Sequence, residues 1–172
     1  MNIKITNVIT TADIKQKVDI TKFNDYPWGI YDNELYRGRC GYIKDNSMEG
    51  RVTVFYTGKL ISTGAKSIEK SIEQLKKAIE LMVNANLIKY VEIKPKVQNI
   101  IALIDTNKKI DIESLAVSIK CIYEPDQFPG LIYRLDRFTL LIFASGKIVV
   151  AGAKSINDID EVSKIVSMIN FK

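Results

Sequence analysis

The sequence predicts an α+β fold built from two tandem repeats, and three observations support it. Segments with the two-residue alternation of half-buried strands precede a segment with the 3–4-residue spacing of an amphipathic helix. This order of strands and then helix occurs twice along the 172 residues. Motifs in the two halves also match in an ordered series. Strands followed by a helix indicate an antiparallel sheet with helices against one face.

The internal repeat is visible as two sets of matching motifs. Residues 7–20 match residues 99–112 at a spacing of 92, and residues 55–68 match residues 143–156 at a spacing of 88. The four-residue difference is expected in a loop between Gly38 and Phe55, where an insertion does least harm. The sequence therefore predicts a first repeat over residues 1–88 and a second repeat over residues 89–172.

The sequence of each repeat predicts the same series of strands and helices. In the first repeat, Gly58 and Lys59 form a tight hairpin turn between two strands, and Ser67 is the N-cap of the long helix. In the second repeat, Ser155 begins the long helix. The first-repeat elements are strands near 3–12, 39–45, 51–57 and 59–65, a brief helix near 19–24 and a long helix near 67–86. The residues expected to be buried by the second long helix are Ile159, Val162, Val166 and Ile169.

Composition argues against several classes of function. The chain has no histidine, and its two cysteines, Cys40 and Cys121, lie far apart, so we expect no metal site, no cofactor and no catalytic Ser-His or Cys-His pair. No apolar run approaches the roughly 20 residues of a membrane span, and the start of the chain does not resemble a signal peptide. We therefore expect a soluble, cytoplasmic protein that is not an enzyme. The net charge of +5 suits a polyanionic partner but does not identify one.

The predicted sheet has two apolar faces, although only two long helices are available to cover one of them. In the second repeat, Leu140 and Ile142 alternate with Leu141 and Phe143, and both sets are apolar. A loop, another subunit or a further helix would cover the second face in one interpretation. In the other, the uncovered face is a binding surface, because large apolar patches mark interaction sites. An apolar face with hydroxyls, amides and flanking lysines suits the minor groove of DNA.

Two segments of the second repeat resemble a known family. Tyr123 to Arg134 (YEPDQFPGLIYR) is similar to the stirrup motif of TATA-box-binding proteins, and Leu140 to Ser155 (LLIFASGKIVVAGAKS) is similar to the hairpin and helix start that follow it. Thr63 to Ser67 (TGAKS) is similarly close in the first repeat. The resemblance covers essentially the whole chain, and the absence of an N-terminal extension resembles an archaeal member consisting of the core alone.

The resemblance implies a saddle made of one curved, ten-stranded antiparallel sheet with helices on its convex face. The concave face would bind and bend double-stranded A·T-rich promoter DNA, a property already known for this family. Transcription factor B and, through it, RNA polymerase would be the protein partners, at a nucleoid-associated location. For the protein free of DNA, two alternatives stay open: a monomer and a homodimer formed through the concave faces.

The resemblance also assigns site residues, which fall into four groups. The intercalating aromatics would be Tyr36, Phe55, Phe128 and Phe143. The minor-groove floor would be Asn7, Ile9, Thr53, Ile61, Thr63, Asn99, Ile101, Leu141, Val149 and Ala151. The phosphate contacts would be Lys59, Lys66, Arg134, Lys147 and Lys154. Contacts to transcription factor B would be Glu124 and Asp126.

The departures from the family pattern lie mainly in the first repeat. Tyr36 stands where the family has phenylalanine, Arg37 replaces a proline, and Tyr42 is interpreted as the counterpart of Arg134. In the second repeat, Ala151 replaces a threonine. A tyrosine wedge must find a partner for its buried hydroxyl, so we expect the second repeat to unstack bases more strongly than the first.

Two other functions compete with promoter recognition. A divergent paralogue could act as a protein-interaction or regulatory module with weak or no DNA bending, and the changes in the first repeat favour this alternative. An enzyme domain is disfavoured, because the sequence has neither a tight carboxylate cluster nor a phosphate-binding glycine loop.

Overall fold

The computed structural model describes residues 1–169 and contains nine strands and three α-helices in that range. The strands are β1 (Asn2–Asp13), β2 (Gly29–Tyr31), β3 (Cys40–Ile43), β4 (Arg51–Phe55), β5 (Lys59–Ala65), β6 (Lys96–Asp105), β7 (Leu131–Leu135), β8 (Phe138–Ile142) and β9 (Lys147–Ala153). The helices are α1 (Ile68–Asn84), α2 (Ile112–Ser118) and α3 (Ile156–Met168). The antiparallel sheet has the order β2-β3-β4-β5-β1-β6-β9-β8-β7.

The expected tenth strand is absent from residues 1–169. In the first half, β2 pairs with β3 over three residues, from Gly29 to Tyr31. In the second half the corresponding pairing is a single bridge, in which the N–H groups of Ile122 and Ile132 each donate to the other's carbonyl at 2.9 Å. The chain turns immediately afterwards, because the carbonyl of Glu124 accepts from the N–H of Phe128 at 2.9 Å. The turn leaves no residues to extend the ladder.

Strand register locates the four-residue difference between the repeats. Ile30 pairs with Tyr42 in the first half as Ile122 pairs with Ile132 in the second, so two of the extra residues lie in the loop between those partners. Tyr42 in turn pairs with Thr53 as Ile132 pairs with Leu141, which places the other two in the β3–β4 hairpin. The insertion in the β3–β4 hairpin lies between Gly38 and Phe55, as predicted. The other lies between Ile30 and Tyr42, in the connection between β2 and β3.

Helices α1 and α3 each begin at the predicted serine. The hydroxyl of Ser67 accepts from the N–H of Lys70 at 3.2 Å, and Ser155 forms a reciprocal capping box with Asp158. Helix α1 buries Leu75, Ala78, Ile79 and Met82 in a core shared with Val52, Val54 and Leu60 of the sheet. Helix α3 buries Ile159, Val162 and Val166. The prediction for Ile169 was wrong, since α3 ends at Met168 and Ile169 is partly exposed.

A buried polar network distinguishes the first half from the second. The Thr10 and Ser71 hydroxyls lie 2.8 Å apart, Ser71 lies 3.1 Å from the Ser62 hydroxyl, and the Gln74 side-chain amide donates to Ser62 at 2.7 Å. The Gln74 carbonyl oxygen accepts from the N–H of Gly50 at 2.7 Å. The corresponding second-half residues are all buried and apolar: Ala102, Val150, Ile159 and Val162. The network therefore ties α1 to the sheet and to the β3–β4 hairpin in the first half alone.

Contacts divide the chain into two compact units. One unit contains residues 7–98, and the other contains residues 1–6 together with the residues from 99 onward. The boundary predicted at residue 88 divides the duplicated sequence and lies in the connection between α1 and β6. None of the helices in the described range combines the length and the apolar character needed to cross a bilayer.

The substitution Gln74→Ala should lower the free energy of unfolding by about 1–3 kcal/mol, because it leaves the buried Ser62 hydroxyl and Gly50 N–H without their partner. Chemical denaturation followed by circular dichroism measures the change. Glu73→Ala, at the exposed neighbouring position, is the matched control and should change stability by less than about 0.5 kcal/mol. Equal effects of the two substitutions would show that the network does not stabilise the fold.

Candidate nucleic-acid interface

Each half of the sheet has a face that its long helix does not cover, and we call these residues the open face. Side chains on the helix face are buried, while the alternating side chains on the other face stay partly exposed. The open face consists of Asn7, Ile9, Thr53, Phe55, Ile61 and Thr63 in the first half and Asn99, Ile101, Leu141, Phe143, Val149 and Ala151 in the second. It therefore includes every residue predicted for the groove floor.

Strand register explains why these side chains share a face. Thr53 pairs with Ile61 in the first half, and Leu141 pairs with Val149 in the second. Directly paired residues of antiparallel strands project to the same side of a sheet. The alternation predicted from the sequence is thus confirmed in both halves, and each half presents an apolar centre with polar groups at its margin.

Asn7 and Asn99 are held in the same way by the two halves. The Asn7 side-chain oxygen accepts from the N–H of Gly64 at 2.7 Å, and the Asn99 side-chain oxygen accepts from the N–H of Gly152 at 2.9 Å. A backbone N–H only donates, so this contact fixes which end of each amide is oxygen. Neither side-chain NH₂ group donates to another group within residues 1–169. Both asparagines therefore keep two hydrogen-bond donors available.

A bulge in the partner strand makes this contact. Register shifts occur between Val8 and Thr10 opposite β5 and, equivalently, between Ile100 and Ala102 opposite β9. The bulges contain Gly64 with φ +88° and Gly152 with φ +102°, values that L side chains rarely adopt. The residue before each glycine differs, since Thr63 adds a hydroxyl in the first half and Ala151 adds none in the second.

Phe128 and Phe143 form a preassembled aromatic pair in the second half. Their ring centroids lie 5.7 Å apart in an edge-to-face arrangement with an interplanar angle of 63°. Gly130 passes close to both rings, and a Cβ atom there would lie 2.9 Å from Phe128 and 3.0 Å from Phe143. Both rings remain partly exposed. The glycine thus leaves room for two adjacent rings at one end of the open face.

The first half lacks an equivalent pair. Tyr36 is 70% exposed and lies in a kinked 3₁₀ segment, Leu35–Gly38, with φ +49°. Phe55 is instead paired in register with Cys40. Within the described residues no ring contact joins Tyr36 to Phe55. The two extra residues in the loop between Ile30 and Tyr42 account for this difference, because they displace Tyr36 from the register that Phe128 has in the second half.

Strand register corrects the interpretation of Tyr42. Tyr42 corresponds to Ile132, and Lys44 is the counterpart of Arg134. The Lys44 ammonium donates to the carbonyls of Met48 at 2.8 Å and Gly50 at 2.7 Å, so it is occupied by the β3–β4 hairpin. Tyr42 itself is buried beneath the Arg51 guanidinium, which lies 4.3 Å from its ring centroid, and burial raises the pKa of the phenol.

The predicted phosphate-contacting side chains are all exposed, and none of them forms an ion pair within the described residues. The backbone N–H of Lys66 donates to Glu49 at 2.9 Å, and that of Lys154 donates to Asp158 at 2.7 Å. Hydrogen bonds from the side chain of Lys70 and from Lys66 lower the pKa of Glu49, and those from Lys154 and Ser155 lower the pKa of Asp158. The five predicted side chains are Lys59, Lys66, Arg134, Lys147 and Lys154.

Glu124 and Asp126 lie at the turn that precedes Phe128. Both residues are exposed, and the Glu124 carbonyl accepts from the N–H groups of Gln127 and Phe128, each at 2.9 Å. The same turn therefore presents two carboxylates to solvent and fixes the backbone that carries an aromatic of the open face.

Several polar residues that lie near the open face were not predicted from the sequence to belong to the interface. The Gln98 side-chain amide donates to the Thr11 hydroxyl at 2.7 Å, which places another amide beside the open face of the first half. In the sequence, this role of Gln98 is indicated by its position directly before Asn99. Arg39, Lys94 and Lys96 also line a cavity there. Within residues 1–169, no group of three or more His, Cys, Asp or Glu side chains could hold a metal ion.

Comparisons with known proteins agree on one family. The model of the family described as transcription factor TFIID, or TATA-binding protein, matches residues 2–85 and 94–170. The chain is 42% identical over 154 residues to a TATA-box-binding protein of Cenarchaeum symbiosum (strain A), covering 88% of this chain and 85% of that protein. It is 35% identical over 162 residues to one from Methanobrevibacter smithii, covering 92% and 88%. The Methanococcus jannaschii TBP structure superposes with a TM-score of 0.84 at 30% identity, covering 96% of each chain.

Proposed function

Because the chain belongs to the TATA-box-binding protein family, we propose that its open face binds the minor groove of A·T-rich promoter DNA and nucleates a transcription initiation complex. The protein acts as a transcription factor and not as an enzyme. Its expected location is with the DNA, in the nucleoid.

The observation that carries this proposal is the pair of asparagine amides held by bulge glycines. The minor-groove floor at A·T pairs offers only the acceptors adenine N3 and thymine O2, whereas G·C pairs add a donor. Side-chain groups that donate hydrogen bonds therefore complement the minor-groove floor at A·T pairs. The side-chain oxygens of Asn7 and Asn99 accept from Gly64 and Gly152. This contact fixes both amides and leaves their NH₂ groups as donors for a ligand.

Apolar side chains around the asparagines complement the rest of the groove. Ile9, Ile101, Leu141 and Val149 would pack against sugars, and the wedge aromatics would enter the base steps at each end. Unstacking a base step costs a few kcal/mol and is least costly at flexible TA steps. Specificity for A·T-rich sequence would then come both from the groove floor and from the energy of deformation.

A fluorescence experiment on a TATA duplex tests binding and bending together. Energy transfer between dyes at the two ends should increase when protein binds, and a G·C-rich duplex should respond much less. Phe143→Ala should weaken binding by about 1–3 kcal/mol, or roughly 5- to 150-fold in Kd, and reduce the bend, because it removes one stacking ring. Tyr90→Ala is the matched control, since Tyr90 is 76% exposed and lies outside the open face.

The same duplex can carry 2-aminopurine at each end in turn, whose fluorescence reports unstacking. We expect stronger unstacking at the end bound by Phe128 and Phe143 than at the end bound by Tyr36 and Phe55. Equal signals at both ends would refute this asymmetry. Binding without energy transfer would refute the bending step and favour the alternative function, a protein-interaction module with weak or no bending.

Transcription factor B is the proposed protein partner, and RNA polymerase would be recruited through it. Glu124 and Asp126 are supported as its contacts by their exposure and by their shared turn. Complementary charges across an interface speed association and select the partner.

Association of two copies through their open faces in the absence of DNA remains a prediction.

The double substitution Glu124→Lys and Asp126→Lys should reduce formation of the ternary complex with transcription factor B by roughly tenfold. It should leave binding to DNA alone at least as tight as that of the wild type. Gel-shift titration with purified factor B measures both quantities. Glu73→Lys with Asp160→Lys makes the same change in charge on exposed helix surfaces; if it lowers ternary-complex formation equally, the proposed contact is wrong.

A further inference from the structure

A cavity of about 740 Å³ opens at one end of the open face in the first half. Its apolar lining includes Phe55 and Ile61, both predicted to contact DNA. Its rim carries four cations, Arg39, Lys59, Lys94 and Lys96, of which only Lys59 was expected at the interface. The sheet and the connection before β6 thus bring together positive charges from four separate positions in the sequence.

The rim of the cavity has an excess of positive charge within the described residues. All four side chains are exposed, and none of them forms an ion pair within residues 1–169. Among the described residues, Asp13 is the only acidic one that lines the cavity. Its carboxylate accepts from the backbone N–H of Lys15 at 2.9 Å and from the Lys15 ammonium at 3.0 Å. These bonds lower the pKa of Asp13. Asp13 also pairs in register with Lys59 and is attracted by its charge. The rim still has more cations than carboxylates, and such an excess of positive charge raises the local concentration of anions.

The second half has a weaker version of this arrangement. Residues 2 and 4 correspond to residues 94 and 96, since Asn7 corresponds to Asn99. Lys147 and Lys4 therefore match Lys59 and Lys96, but Asn2 stands where the first half has Lys94. Register places Pro129 where the first half has Arg39. The first half thus has two extra cations, Arg39 and Lys94.

We propose that Arg39 and Lys94 bind the sugar-phosphate backbone at one end of the bound duplex, as a phosphate contact that the second half lacks. This inference rests on the proposed function and adds to it an electrostatic difference between the two ends. A duplex whose groove floor touches Phe55 and Ile61 brings its phosphates to the rim of the same cavity, because phosphates form both walls of the minor groove. An acidic protein segment would not explain why the apolar lining continues into the open face.

Salt dependence of DNA binding tests the proposal. Each phosphate contact steepens the slope of log K against log salt concentration by about 0.9. The double substitution Arg39→Gln and Lys94→Gln should therefore make the slope shallower by about two and weaken binding similarly on TATA and G·C-rich duplexes. Lys76→Gln with Lys164→Gln removes the same charge from exposed helix positions and should leave the slope unchanged.

Neutral methylphosphonate linkages locate the contact. Placed at one flank of the TATA duplex, they should remove the difference between wild type and the Arg39/Lys94 variant; placed at the other flank, they should preserve it. Equal slopes for the two double variants, or no preference between flanks, would overturn the inference. In that case, wild-type binding to the TATA duplex would leave the proposed function intact and favour an acidic protein segment. Failure of the wild type itself to bind would instead reject the proposed function.

Discussion

The hydrogen bond between an asparagine side-chain oxygen and a bulge glycine is the constraint on which the interface depends. An unrestrained amide presents both a donor and an acceptor, and it would accept the exocyclic amine of guanine as well as donate to adenine or thymine. Each asparagine oxygen accepts from the N–H of Gly64 or Gly152, which fixes the orientation of the amide and leaves its NH₂ group as the donor in each half. The bulges require glycine, because their φ values exclude most side chains. In the proposed complex, base discrimination would therefore depend on backbone conformation in both halves.

The two halves share an arrangement of strands and helices but differ in the side chains of the core and of the interface. The first half adds a buried network around Ser71 and Gln74 and further cations around Phe55, and its Tyr36 remains largely exposed. The second half has an aliphatic interior and a ready-made pair of rings, Phe128 and Phe143. Stacking would therefore dominate at one end of the duplex and phosphate contacts at the other. Since these two kinds of contact respond differently to salt and to base sequence, the asymmetry would contribute to the orientation of binding.

Much of the fold could be predicted because it follows from local periodicity. The alternation of Leu140 and Ile142 with Leu141 and Phe143 determines which side chains face the helix, and the serine caps mark the helix starts. Register between strands carries no such local signal. The equivalence of Lys44 with Arg134 was missed because one two-residue insertion precedes Lys44 and another follows it. Only the ladder pairs show how the four extra residues divide.

The hydrogen bonds and charges of the site also depend on strand register, which has no local signal in the sequence. The asparagines were assigned by resemblance, but no sequence pattern shows that a bulge glycine occupies their oxygens. Arg39 and Lys94 lie far apart in the chain, and no sequence motif connects them. They become informative only when the fold places them on one cavity. The short pairing of β2 with β3 was likewise missed, because three residues are too few to show alternation.

The most direct test of this account removes the groove acceptor instead of the protein donor. Adenines at the central A·T pairs of a TATA duplex are replaced one at a time by 3-deazaadenine, which keeps base pairing but lacks the N3 acceptor. Wild-type affinity should fall by about tenfold at the positions contacted by the two asparagines. Asn7→Ala and Asn99→Ala should each lose that sensitivity at its own position. If both variants lose affinity to 3-deazaadenine as strongly as the wild type does, the asparagine amides do not read the groove floor.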